Sequence, residues 1–295
     1  MSLFQGAATA LVTPFRDGKP DFHALERLIE FQIEGEIDAI VSCGTTGEAS
    51  TLSLEDQIQV VQFTVDKVNH RVPVIAGAGS NDTQVALTKA KAMEYAGADG
   101  ILMVTPYYNK CSQTGLIRHY TTIADQLKTP IILYSVASRT GVNIAPETVK
   151  RLARHPNICG IKEASGNISQ IVEISKHISD GFALYSGNDD QVIPIMSMGG
   201  LGVITTAGNV VPKAMHDMTS AWLDGDYITA AKMQRDYKAL IDALFCEVNP
   251  ISVKAALWLM NQIHLEYRLP LCEPSDATIT RLKSVLADYG LISGQ

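Results

Sequence analysis

This sequence has few of the features that would mark a disulfide, metal or membrane protein. Its five cysteines, Cys43, Cys111, Cys159, Cys246 and Cys272, are odd in number and far apart, with no Cys-x-x-Cys pair. That spacing does not fit a disulfide framework or a zinc ribbon, and free thiols in a reducing cytoplasm are expected. The seven histidines show no metal-ligand spacing either, so no metal is expected. No apolar run approaches the ~20 residues of a membrane-spanning helix. Met1 to Phe15 lacks a basic start and is broken by Gly6 and Pro14, which does not read as a secretory leader. Cations are also scarce: 24 Lys and Arg stand against 31 Asp and Glu, a net charge of −7. Non-specific nucleic-acid binding and anionic membranes both need clustered cations, so neither is expected as a partner. A few local cations can still dominate a pocket whatever the total charge. Neither a Gly-x-Gly-x-x-Gly nor a Walker A sequence occurs, and no cofactor is expected.

With 295 residues, 46% of them hydrophobic, the chain has material for one large domain or one domain with an appendage. A short apolar, β-branched run recurs eight times: Ala8–Val12, Ala39–Cys43, Pro73–Ala76, Gly100–Val104, Ile131–Ser135, Cys159–Lys162, Ala183–Ser186 and Gly202–Thr205. Most are apolar at successive positions, as parallel strands covered on both faces are. Helical patterns lie between them. Leu25, Leu28, Ile29 and Ile33 share one face, with Asp21 placed to cap its start and Gly35 its end. Ser53 to Asp56 resembles a capping box and leads a stripe of Ile58, Val61, Val65 and Val68; later helices open near Ser112, Pro146 and Asn167. Eight such alternations predict an α/β fold, a (β/α)8 TIM barrel over residues 1–224. Residues 225–295 read as a helical appendage of three helices, Tyr227 to Phe245, Ile251 to Ile263 and Asp276 to Tyr289. An open doubly wound sheet is the alternative.

In a barrel, chemistry sits at the C-terminal ends of the strands. The polar residues there are Thr45, Thr46 and Glu48, Tyr107 and Tyr108, Tyr134 and Arg139, Lys162 and Glu163, and Asn188 and Asp189. Lys162 stands out, because burial among apolar neighbours lowers an amine's pKa and suits it to attack a carbonyl. It could equally snorkel to solvent or pair with Glu163. Tyr134 on the adjacent strand could relay protons with a hydroxyl such as Thr46, or simply be a buried, bonded phenol. Gly44-Thr45-Thr46-Gly47-Glu48 reads as a tight turn able to hold a carboxylate, or as a plain turn before the next helix. Arg139 is a candidate carboxylate clamp or a surface arginine. Asp189 and Asp190 could form an acid pair, although placement at a helix start is the preferred reading. Gly199, Gly200 and Gly202 precede the eighth run and so sit at the wrong end for a phosphate loop.

Taken in order, Gly44-Thr45-Thr46-Gly47-Glu48, Thr105-Pro106-Tyr107-Tyr108-Asn109, Tyr134 with Ser138-Arg139-Thr140-Gly141, Gly160-Ile161-Lys162-Glu163, Ser186-Gly187-Asn188-Asp189 and Asn249-Pro250 with Lys254 resemble the dihydrodipicolinate synthase (4-hydroxy-tetrahydrodipicolinate synthase) family, within the N-acetylneuraminate lyase superfamily. The resemblance runs over nearly the whole chain. It implies a cytoplasmic homotetramer, a dimer of tight dimers, that condenses pyruvate with L-aspartate 4-semialdehyde in diaminopimelate and lysine biosynthesis. By the same resemblance Lys162 forms the pyruvate Schiff base and Tyr134, Thr46 and Tyr108 relay protons, Tyr108 in the neighbouring subunit's site. Thr45 and Thr46 hold the pyruvate carboxylate, Arg139 meets the semialdehyde carboxylate, and Gly187 and Ile204 contribute backbone to the pocket. Ser135 and Ala137 stand where the family usually has Asn and Pro, a departure that bears on aldehyde specificity. Asn81 and Tyr107 match an allosteric lysine cleft, but Val85 and Leu54 replace its acid and a histidine, which implies weak lysine feedback. Two other functions are weighed: an aldolase of the same superfamily acting on a sugar acid or hydroxy-oxo acid, and a non-catalytic barrel used for binding or assembly.

Overall fold

Each of the eight apolar runs becomes a strand in the computed structural model, which describes residues 2–293. The strands are β1 (Gly6–Ala10), β2 (Ala39–Ser42), β3 (Val74–Gly77), β4 (Gly100–Val104), β5 (Ile131–Ser135), β6 (Ile158–Glu163), β7 (Ala183–Ser186) and β8 (Gly202–Thr205). Every strand pairs in parallel with the next, and β8 closes on β1. Alternate residues feed two separate cores, which explains the unbroken apolar runs. Ile101, Met103, Ile131 and Leu133 face the helices, while Leu102, Ile132, Tyr134 and Ile204 fill the barrel. At the N-terminal end the Phe4 and Tyr185 rings stack at 4.3 Å, and the Tyr185 hydroxyl donates to the Phe4 carbonyl at 2.8 Å.

One irregularity decides where the chemistry points. Ile131 pairs with Ile158 but Ile132 pairs with Gly160, so β6 carries one extra residue, Cys159, as a bulge. Strict alternation from Ile158 would turn Lys162 outward; the bulge resets the phase and turns it into the barrel beside Tyr134.

The helix signals hold in most places. Asp21, Ser53, Ser112 and Asn167 each accept from a first-turn N–H, and Pro146 opens its helix. Three expectations need correction. The capping box is only half formed: Ser53 accepts the Asp56 N–H, but the Asp56 carboxylate is taken by Arg268 at 2.9 Å. The buried stripe of that helix is Gln57, Val60, Val61, Thr64 and Val68, with Ile58 and Val65 at its margins, because the Gln57 amide satisfies the Ala49 and Leu52 carbonyls. In the appendage the first expected helix divides into Tyr227–Asp236 and Lys238–Leu244 at Tyr237, whose ring packs 5.4 Å from Tyr289. Ile251–Leu259 and Asp276–Asp288 complete it. The first strand also starts two residues earlier than expected, and a short hairpin (Phe15–Arg16 with Lys19–Pro20) follows it, turning at Asp17 and Gly18, both at positive φ.

His119 couples this packing to pH. Its Nδ1 lies 2.9 Å from the Thr83 hydroxyl, its Nε2 has no partner among the described residues, and burial pulls its pKa down to about 4. The unfolded chain therefore binds a proton near pH ~6.5 that the folded protein refuses until about pH 4, so stability falls as pH drops through that window. The expected loss is up to roughly 3 kcal/mol. In urea unfolding at several pH values, His119→Gln should flatten the profile between those limits, whereas an unchanged slope would refute the assignment.

Candidate active site

The mouth is built from strand ends. Lys162 is 6% exposed, and its Nζ lies 4.5 Å from the centre of the Tyr134 ring, directly across the β5–β6 ladder. No hydrogen bond or ion pair holds that Nζ among the described residues, so the snorkelling and Glu163-paired readings both fail. Glu163 instead points outward, where its carboxylate accepts from the Ser165 N–H at 2.9 Å and from Gln170 at 3.3 Å, and burial raises its pKa. Ser135 belongs to the same outward network: it accepts the Ile144 N–H at 3.2 Å and donates to Asn143 at 3.3 Å. Any effect of the family departure at Ser135 on specificity is therefore indirect.

After β2 the chain leaves the ladder at Cys43, φ 54°, and turns through Gly44 to Glu48, φ 53°. The turn closes through Gly47 and Ala49 N–H bonds to the Gly44 carbonyl and a Glu48 N–H bond to Thr45. The Thr45 and Thr46 N–H groups donate to no acceptor among the described residues and remain available to a ligand. The Thr46 hydroxyl lies 3.5 Å from that of Thr206 and accepts from the Asn249 side chain at 3.0 Å. It does not bond to Tyr134, as a simple relay would require.

Sequence reasoning missed what holds this turn. Glu48 lies beneath it in a wholly buried ion pair with Lys254, 2.5 Å apart, and also accepts the Arg268 N–H at 3.2 Å. The Lys254 ammonium sits over the Phe15 and Tyr267 rings, 4.3 and 5.0 Å from their centres. A lysine within the Ile251–Leu259 stretch, where Ser252 is the one other polar residue, was the available signal. The appendage thus supplies both Asn249 and Lys254 to the barrel mouth.

Asp189 and Asp190 stand at a helix start, as preferred above, in the first turn of the short helix Asp189–Gln191, but Asp189 does more than sit there. It is neither paired with Asp190, which is exposed, nor a cap for its own short helix. Its carboxylate accepts the Thr206 and Ala207 N–H groups at 3.0 and 2.8 Å, so it fixes the start of the loop after β8. Burial raises its pKa despite the nearby charge of Lys162.

Gly187 donates to the Glu163 carbonyl at 2.7 Å, and Ile204 lies buried in the inner core. A Cβ on Gly187 would meet Ala164 Cβ at 2.6 Å and Lys162 Cε at 3.2 Å. Gly187→Ala should therefore displace Lys162 and lower kcat by on the order of 100-fold, the usual cost of misplacing a reacting group by about 1 Å. Steady-state kinetics beside a thermal melt checks this, and kcat within a few-fold of the parent would contradict it.

Thr45, Tyr134, Arg139 and Tyr107 line one cavity of about 320 Å³. Arg139 lies on the short helix Ala137–Thr140 and is exposed, with its guanidinium donating to the Asn249 carbonyl at 3.3 Å. Tyr108 does not enter this cavity. It is 88% exposed and held at φ 73°. The Asn81 carbonyl accepts from Asn109 at 2.9 Å, Val85 is exposed, and Leu54 is half-buried. Away from the mouth, Glu36, His216 and Asp217 come close enough to share a cation, but the Lys213 ammonium already pairs with both acids.

Comparison with known proteins places this geometry. The profile of the dihydrodipicolinate synthetase family matches residues 3–288. The 4-hydroxy-tetrahydrodipicolinate synthase of Alkaliphilus oremlandii is 49% identical over 290 residues, covering 98% of this chain and 100% of that protein. The enzyme of the same name from Thermoanaerobacter sp. is 50% identical over 293 residues, 99% of each. Among solved structures, dihydrodipicolinate synthase from Thermotoga maritima superposes with a TM-score of 0.96 at 41% identity, covering 98% of this chain and 100% of that one. The Acinetobacter baumannii enzyme, complexed with pyruvate, gives 0.95 at 42% identity over 98% and 99%.

Proposed function

The chain belongs to the dihydrodipicolinate synthetase family, and from that premise we propose how its barrel mouth condenses pyruvate with L-aspartate 4-semialdehyde. It is a lyase of diaminopimelate and lysine biosynthesis with 4-hydroxy-tetrahydrodipicolinate synthase activity. The observation that carries the assignment of roles is the unpaired, buried Nζ of Lys162 against the Tyr134 ring. Pyruvate enters with its carboxylate on the free N–H groups and hydroxyls of Thr45 and Thr46, backed by the Gly187 and Ile204 backbone. The Lys162 amine attacks the ketone carbon, and water leaves as the imine forms. Loss of a methyl proton gives the enamine, whose carbon attacks the aldehyde while Arg139 holds the second carboxylate; the aldehyde oxygen takes a proton, and the semialdehyde's own amine then attacks the restored imine and displaces the Lys162 amine as the ring closes. Tyr134 exchanges protons with these intermediates, and because its hydroxyl does not bond that of Thr46 directly, the relay to Thr46 runs through the bound substrate. Coupled turnover with the two substrates tests the reading; turnover of a sugar acid or hydroxy-oxo acid instead, or no turnover by a folded protein, would favour the alternatives weighed above.

Tyr108 supports an oligomeric enzyme. A large side chain at positive φ, almost wholly in solvent, carries backbone strain with no gain inside its own subunit. In a homotetramer, a dimer of tight dimers, it serves the neighbour's proton relay. Tyr108→Phe should lower kcat by about 100-fold or more. Mixed oligomers of Tyr108→Phe and Lys162→Ala chains should regain turnover, because some sites then hold both native groups; no regain would place Tyr108 in cis or outside the reaction. Asn81 and Tyr107 retain part of a lysine cleft, but with Val85 and Leu54 beside them feedback should be weak, and inhibition by sub-millimolar lysine would refute this.

A further inference from the structure

The turn that offers the Thr45 and Thr46 N–H groups is not held by its own bonds alone. It enters and leaves at positive φ, 54° at Cys43 and 53° at Glu48, a backbone that is costly for residues with a Cβ and persists where the surroundings enforce it. One restraint comes from the barrel, where the Thr13 hydroxyl donates to the Gly47 carbonyl at 2.7 Å. Others come from the appendage, through Lys254 and the segment that follows its helix.

Residues 264–268 form neither helix nor strand, yet three consecutive side chains there are committed to neighbours. The Glu266 carboxylate accepts the Asp17 and Gly18 N–H groups at 3.0 and 2.6 Å, and so grips the tip of the hairpin. Tyr267 donates to the Ile251 carbonyl at 2.7 Å, which ties the segment back to its own helix. Arg268 reaches furthest. Its backbone N–H meets Glu48, and its guanidinium donates to the Thr51 carbonyl at 3.0 Å, the Asp56 carboxylate at 2.9 Å and the Gly18 carbonyl at 2.8 Å. The same guanidinium lies 4.8 Å from the centre of the Phe15 ring, which the Lys254 ammonium also faces. Two cations on one buried ring repel each other, so ring packing alone does not account for the arrangement; Glu48, which accepts from both residues, makes it tenable. One planar fork thus joins the hairpin, the end of the Thr45–Thr46 turn and the start of the helix Leu54–Val68.

We propose that Arg268 is a positioning residue for pyruvate: from the appendage, and without touching the substrate, its guanidinium clamps the turn that seats the pyruvate carboxylate. The inference rests on the reading of Thr45 and Thr46 as that seat. It also gives the appendage a task in the reaction, because the strap at residues 264–268 sets how firmly the two N–H groups are presented.

Steady-state kinetics and amide hydrogen exchange on the full-length protein test this. Arg268→Ala should raise KM for pyruvate by about tenfold or more with kcat within about threefold of the native value, the mark of a lost binding seat rather than of a lost reacting group. A role in stability alone would instead lower the apparent kcat, through loss of folded enzyme, and leave KM where it was. Free guanidinium, added far below denaturing concentrations, should bring KM back toward the native value, because the slot over Phe15 keeps its acceptors; sodium chloride at equal ionic strength should not. Arg268→Lys keeps the charge but not the fork and should follow Arg268→Ala. In the ligand-free protein the bonded Gly47, Glu48 and Ala49 amides should exchange about tenfold faster in both variants, with the strand Ile131–Ser135 unchanged. An unchanged KM, a fall in kcat alone, equal rescue by sodium chloride, or unchanged exchange at the turn would each overturn the proposal. Should Arg268→Ala fail to fold, Arg268→Lys carries the same kinetic and exchange comparisons. If borohydride traps no pyruvate on the native enzyme, the pyruvate reading fails, and exchange at Gly47, Glu48 and Ala49 alone decides whether Arg268 clamps the turn.

Discussion

Lys162→Ala is expected to abolish the borohydride-trapped pyruvate adduct and to reduce turnover by on the order of 10⁴-fold or more, as loss of a covalent nucleophile does. The structure offers two buried lysines, and the contrast between them makes the expectation specific. Lys254 is closed off by Glu48 at 2.5 Å, and its ammonium is engaged by two aromatic rings. An amine so engaged has no free electron pair and no path to a ligand. Lys162 has no acid partner, and its Nζ faces an aromatic ring inside the barrel. Because nothing is paired to it, its removal should leave the melting temperature nearly unchanged. Peptide mapping of the trapped native enzyme should put the added mass on Lys162; an adduct on Lys254, or one surviving in Lys162→Ala, would overturn the assignment.

The second large effect concerns stability. Lys254→Met leaves the Glu48 carboxylate buried without its counter-ion, and breaking such a pair from one side costs about 3–5 kcal/mol. Removing both charges is far milder. Glu48→Gln keeps an acceptor for the Arg268 N–H, so the double variant Glu48→Gln/Lys254→Met should recover most of the loss. Denaturant unfolding of the two single variants and the double one gives the coupling directly. Additive losses would show that the two charges act independently. Since Glu48 belongs to the turn that presents Thr45 and Thr46, Lys254→Met should also raise KM for pyruvate, at temperatures where the protein is still folded.

Much of this architecture is legible in the residue order, for identifiable reasons. Strands buried on both faces advertise themselves as unbroken β-branched runs, and the helix starts at Asp21, Ser53, Ser112 and Asn167 are local chemistry between neighbours. That Lys162 and Tyr134 adjoin could be foreseen because they end neighbouring strands of a barrel. What escaped was the result of long-range geometry. The partners Glu48 and Lys254 lie 206 residues apart, and Asp189 reaches N–H groups 17 and 18 residues on, across β8. The Cys159 bulge leaves no composition signal, yet it determines which way Lys162 faces.

The stacked rings of Phe4 and Tyr185 have a kinetic consequence. With that end filled by the two rings, access among the described residues is from the mouth, and a molecule bonded to Lys162, as proposed, lies at the inner end of the path. The partner it reacts with must arrive behind it and the product must withdraw before another cycle starts. In the proposed reaction this places pyruvate first and the aldehyde second, and the joined product leaves by the way both came, an order set by the shape of the vessel before any difference in affinity acts.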